Sequence, residues 1–120
     1  MGIYRIVVAA LLAFSLVPAG ASAHAILTHS EPAAGSSVPL GKIVISFRYN
    51  SRIDRARSRL TLTRPDNSQA VLNISVDGPP DLLQTSADLA VPGPYIIRWQ
   101  VLAVDGHITR GDVPFTVTDH

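Results

Sequence analysis

The chain has 120 residues, ten Lys and Arg against nine Asp and Glu, and no cysteine. The even charge balance, without a basic motif, speaks against a nucleic-acid partner. The absence of cysteine excludes a disulfide framework, thiolate metal sites, a cysteine nucleophile and lipid attachment at an N-terminal cysteine.

At the front, Arg5 precedes an apolar run from Ile6 to Val17, then Pro18-Ala19-Gly20 and Ala21-Ser22-Ala23. This is the layout of a secretory signal peptide with a small-x-small cleavage site. The pattern predicts a leader over residues 1–23, cleaved after Ala23, and one exported domain over residues 24–120 that begins with His24. The apolar run is shorter than the ~20 residues a spanning helix needs, and no second one follows. No stable membrane insertion is therefore expected after cleavage. Arg5 leaves with the leader, so the remaining basic and acidic side chains balance.

After His24, short β-type runs recur between turn residues. They cover residues 24–29, 42–49, 59–64, 69–76, 82–89, 95–104 and 113–118. The strongest is 95–104, whose odd positions Tyr95, Ile97, Trp99, Val101 and Ala103 all suit burial. In the last run, Val113, Phe115 and Val117 share one face. About seven strands at this spacing, with no helical pattern, predict an all-β, immunoglobulin-like Greek-key β-sandwich without a disulfide. Arg48, Arg52, Arg55, Arg57, Arg59 and Arg64 crowd one segment. Alternation would place Arg55, Arg57 and Arg59 on one face of a strand. The favoured reading is a solvated edge strand protected by charge, with a patch for an anionic partner as the alternative.

The chemistry sits at the two ends of this domain. A free N-terminal His24 offers its amine and its imidazole Nδ1 to one metal ion, closing a chelate within one residue. Near the other end stands Asp105-Gly106-His107, whose acidic and imidazole side chains, two apart, point the same way in an extended segment. They continue the inward face of the Trp99 run past the end of the core. If the first strand ends at the same rim, amine, two imidazoles and a carboxylate make an N3O set, which suits tetragonal Cu(II). An α-amino group sheds its proton to a metal more readily than lysine does.

Other readings remain beside this one. Asp-Gly is a common hairpin turn and can be purely structural. His24, Asp105 and His107 could also supply the three ligands of a hydrolytic zinc site. No nucleophile motif or assignable triad appears, so an enzyme is not expected. His29 has no evident partner and reads as a surface residue, and His120 ends the chain. The only methionine, Met1, leaves with the leader. With neither Met nor Cys, no Cu(I) site is expected.

His24-Ala25-Ile26-Leu27 through Ser30-Glu31-Pro32-Ala33-Ala34-Gly35-Ser36 resembles the opening of the CopC family of periplasmic copper-resistance proteins. Pro94-Tyr95-Ile96-Ile97-Arg98-Trp99, Val104-Asp105-Gly106-His107 and Phe115-Thr116-Val117 resemble its closing stretch. The resemblance covers essentially all of residues 24–120. It implies a small periplasmic β-sandwich that binds one Cu(II) per chain through His24, Asp105 and His107. The implied role is copper homeostasis: buffering, resistance, or delivery to a membrane copper transporter of the CopD type, by a monomer without enzymatic turnover. Two departures stand out. The methionine-rich loop of some relatives is missing. After Phe47, where many relatives carry an acidic residue that supports the copper site, this chain reads Arg48-Tyr49-Asn50-Ser51, leaving Tyr49 or Asn50 as substitutes. The rival classes are a metal-free accessory or adhesion domain and a small copper-dependent oxidative enzyme, for which so short a domain leaves little room.

Overall fold

A computed structural model describes residues 24–119; the expected leader and His120 lie outside the described residues. Eight strands follow one another: β1 (Leu27–Glu31), β2 (Ser37–Pro39), β3 (Gly41–Tyr49), β4 (Ile53–Thr63), β5 (Gln69–Leu72), β6 (Leu82–Leu89), β7 (Gly93–Ala103) and β8 (Ile108–Thr118). They form a three-stranded sheet, β1-β3-β6, and a five-stranded sheet, β2-β8-β7-β4-β5. β3 pairs with β6 in one sheet and β4 with β7 in the other, so the chain crosses between sheets as a Greek-key sandwich requires.

The alternation in β7 decides the core. Tyr95, Ile97, Trp99, Val101 and Ala103 are each at most 8% exposed, and Ile45, Phe47 and Leu83 of the opposite sheet are completely buried. Val113, Phe115 and Val117 of β8 join them. Burial of side chains of this size contributes about 1.5–3 kcal/mol each. Two ring contacts fix the layer: Tyr49 meets Trp99 edge to face at 5.4 Å, and Tyr95 stacks on Phe115 at 5.5 Å. The Tyr95 hydroxyl donates to the Val91 carbonyl at 2.7 Å.

Several features differ from the sequence reading. β4 and β8 begin earlier than the expected 59–64 and 113–118 runs, at Ile53 and Ile108, ahead of the clearly alternating part of each strand. β2 was not expected; it is three residues long and ends in Pro39, too short to show periodicity, and it runs parallel to the end of β8. The 69–76 run stops as a strand at Leu72, because the chain then turns onto β6, where the Ser75 amide donates to the Gln84 carbonyl. β1 starts at Leu27 rather than His24. The arginine-rich strand is also not a simple charged edge. β4 lies between β7 and β5 over Leu60–Thr63, and a bulge between Asp54 and Arg59 breaks its alternation. Arg55 therefore points into the 76–82 loop, donating to the carbonyls of Val76, Gly78, Pro79 and Leu82. Arg57 instead pairs with Asp54 at 3.1 Å.

Tyr49 presents an unusual feature. Its ring is 2% exposed, yet its hydroxyl finds no hydrogen-bond partner among the described residues. Burial pushes its phenol well above the usual range. An unpaired buried hydroxyl costs about 1–3 kcal/mol. Tyr49→Phe keeps the ring contact with Trp99 and removes that cost, so thermal unfolding should show Tm unchanged or raised by a few degrees. A clear fall in Tm would mean that the hydroxyl is satisfied in solution.

Candidate metal centre

The β7–β8 connection is a three-residue hairpin loop. Ala103 donates to the His107 carbonyl at 2.9 Å, and Gly106 donates to the Ala103 carbonyl at 2.9 Å. Gly106 sits in the left-handed region, φ +91°, which this loop type demands of its last residue and which glycine adopts without strain. The turn orients its own side chains. Asp105 Oδ1 accepts the His107 backbone N–H at 3.1 Å, and Asp105 Oδ2 lies 2.9 Å from His107 Nδ1. The expectation that Asp105 and His107 share a side is thus met by a different route. They do not extend the strand; an aspartate closing on the backbone two residues ahead holds them together.

The bond to the His107 ring is the main reason the Asp105 carboxyl is held below the usual carboxylate range. The His107 backbone N–H adds to this, partial desolvation opposes it, and the charges of His107 and then His24 act more weakly. A lowered carboxyl stabilises the turn above the ordinary carboxylate pKa, and that contribution is lost as pH falls through the lowered value. The side chains remain accessible, with Asp105 27% and His107 58% exposed.

The N-terminal residues are brought to this turn by a buried methyl and three hydrogen bonds. The Ala25 methyl is buried in the core and the Ala25 carbonyl accepts the Thr109 hydroxyl at 2.9 Å. Next along the chain, Ile26 donates to Asn50 Oδ1 at 2.8 Å and accepts from the Asn50 backbone N–H at 3.0 Å. His24 is therefore fixed one residue beyond a buried anchor, and its ring meets the His107 ring edge to face, centroids 4.8 Å apart. The structure brings together all three residues singled out from the sequence: His24 against His107, and His107 against Asp105. His29 is not part of this group; its Nε2 lies 3.3 Å from Glu31 Oε1, out on β1.

Residues 27–118 match the CopC domain family. The chain belongs to the CopC family. It is 33% identical over 111 residues to Protein YobA of Escherichia coli strain K12, covering 90% of each chain. Among solved structures it resembles CopC from Methylosinus trichosporium OB3b, at 24% identity and a TM-score of 0.72, covering 78% of this chain and 93% of that one. It also resembles PcoC, a methionine-rich copper resistance protein from Escherichia coli, at 22% identity and a TM-score of 0.62, covering 80% of this chain and 100% of that one. At these identities the two structures establish the fold.

The family match begins three residues after His24, so the anchoring of that residue in this CopC-family chain rests on its own contacts. Of the anchoring side chains, Thr109 was not assigned a role from sequence. Asn50 was named beside Tyr49 as a substitute hydrogen-bonding group, and its observed partner is the Ile26 backbone. Among the described residues, no three His, Asp or Glu side chains form a ready-made metal-ligand group. Two packed rings and a carboxylate already bonded to one of them lack a further donor. In the 120-residue chain the nitrogen of His24 is a peptide amide, which becomes a donor only by giving up its proton. A free amine at that position would complete the donor set, and its chemistry fits a nitrogen-rich tetragonal ion.

Proposed function

We propose that the chain is exported, cleaved after Ala23, and carries one Cu(II) ion in the periplasm on the His24 amine and imidazole, the His107 imidazole and the Asp105 carboxylate. The observation that carries this reading is the contact between the His24 and His107 rings, two residues 83 positions apart that the fold presents at one exposed rim. Cleavage would then turn an amide into the missing ligand. Membership of the CopC family and the likeness to PcoC, a copper resistance protein, support copper as the ion. The described residues contain no Met or Cys, so this reading includes no Cu(I) site and differs from the methionine-rich PcoC.

The protein is a carrier rather than an enzyme in this reading, handing copper to or from a membrane copper transporter. Two further observations favour that. The site stands on an open rim, and neither the groove between β5 and β6 nor the shallow one beside His29 includes His24, Asp105 or His107. Asn50, one of the two residues the resemblance leaves as substitutes for an acidic residue after Phe47, bonds the Ile26 backbone. It acts on the chain that carries His24 rather than on the ion.

Competition of Cu(II) between a chromophoric chelator and protein beginning at His24 tests this. One equivalent should bind tightly. His107→Ala should lose at least about a hundredfold in affinity, since even the loss of a supporting residue costs 10–100-fold. Asn50→Ala, which frees the His24 segment, should lose about tenfold while keeping the same stoichiometry. Equal affinity of native protein and His107→Ala would overturn the site in favour of a metal-free accessory domain.

A further inference from the structure

We propose that the rim bearing His24 and His107 is also a protein-docking face, whose partner presents an apolar centre framed by carboxylates. The inference rests on the proposed metal site only for the purpose of the docking; the surface stands on its own observations.

The first observation is a collar of exposed aliphatic side chains around the site. Ile26, two residues past His24, is 59% exposed; Val104, just before Asp105, is 68% exposed; Ile108, just after His107, is 51% exposed. Single exposed aliphatics are ordinary, but these three lie one or two residues along the chain from His24, Asp105 and His107, at the same rim.

The second observation is the charge beside that collar. On the outer face of the five-stranded sheet, Ile108 pairs with Leu102, and the next outward row is Arg59, Gln100 and Arg110. With strands about 4.8 Å apart, the two arginines flank Gln100 at about 10 Å from each other. Arg110 Nε donates to the side-chain Oε1 of Gln100 at 2.8 Å. Neither arginine has a carboxylate partner among the described residues, and the same holds for Arg52, exposed in the loop before β4. The following row shows what the sheet does elsewhere: Arg98 forks onto Asp112 at 2.9 and 3.2 Å. Positive charge is thus neutralised in the middle of the sheet and left open near the site.

Open guanidinium groups beside an apolar patch call for carboxylates beside an apolar patch on the partner, an arrangement that speeds encounter and fixes orientation. An anionic membrane is the poorer fit. Membrane-surface binding draws on Trp and Tyr at the interface, whereas Phe47, Tyr49, Tyr95, Trp99 and Phe115 are all buried. Three cations contribute only about 1 kcal/mol each at an anionic surface.

The test places the photo-reactive residue benzoylphenylalanine at position 104 and irradiates cells that naturally make the protein. The expected product is a single protein adduct whose cross-linked segment contains apolar residues flanked by Asp or Glu. Its yield should fall about fivefold or more when Arg59→Glu and Arg110→Glu are combined, but not with Lys42→Glu at the opposite end of the sandwich. An adduct indifferent to the two reversals, an adduct with lipid or with a second copy of the chain, or no adduct would overturn the proposal. The purified double-reversal protein, titrated with Cu(II) alone, should bind as native. Docking and copper binding therefore fail separately.

Discussion

A chain that begins one residue before His24 is expected to lose at least about a hundredfold in Cu(II) affinity compared with a chain that begins at His24, more than a supporting residue alone would cost. The extra residue converts the His24 amine into an amide, which binds Cu(II) only by giving up its proton, and it removes the chelate that amine and ring form together. It changes nothing else near the site. Ala25 remains buried, Thr109 still donates to the Ala25 carbonyl, and Asn50 still holds Ile26. Folding and thermal stability without copper should therefore be the same for both chains, which isolates the effect in the amine. Chelator competition on the two proteins reads it directly. Equal affinities would mean that the donors are side chains only, and the proposed dependence on cleavage after Ala23 would fall.

The largest effect on stability is expected from Gly111→Ala. Gly111 pairs with Trp99 across β7 and β8. A Cβ at Gly111 would stand 2.5, 2.6 and 2.8 Å from three atoms of the Trp99 indole. The ring has nowhere easy to go, because it is 8% exposed and already in edge-to-face contact with Tyr49. Overpacking of this kind costs about 1–3 kcal/mol, and at the upper end Tm falls by about 12–24 °C for a domain of this size. Trp99 is the only tryptophan, so its fluorescence reports both the unfolding and any rearrangement of the ring in the folded state. A variant that melts within about 2 °C of native would mean that the indole moves aside freely and that the close approach of β8 is not needed to hold it.

These two predictions concern features of unequal visibility in the sequence. The buried face of β7 could be read directly, because strict alternation over Tyr95–Ala103 has one physical meaning when Arg98 and Gln100 occupy the other face. The meeting of His24 with Asp105 and His107 was also legible, though for a partly wrong reason. Asp105 was placed by strand alternation, whereas a three-residue turn with Gly106 in the left-handed region sets its direction. Spacing alone does not separate those cases, since both put residues two apart on one side.

What could not be read depends on which edges meet in three dimensions. β2 is recognisable only against the end of β8. Arg55 looked like a surface cation in an alternating row. The bulge before Arg59 turns it instead into a clamp on four carbonyls of a loop more than twenty residues away. Gly111 carries no local signal either, because its constraint is the indole of a residue on the neighbouring strand. Asn50 is similar; its role exists only because Ile26 passes beside it.

The most direct measurement is electron paramagnetic resonance of protein beginning at His24, recorded across a Cu(II) titration in the presence of a competing chelator. The proposed site predicts one tightly held equivalent with a tetragonal, nitrogen-rich spectrum that is complete at one ion per chain. Several weak equivalents, or a spectrum without nitrogen ligation, would contradict a Cu(II) site built on His24, Asp105 and His107.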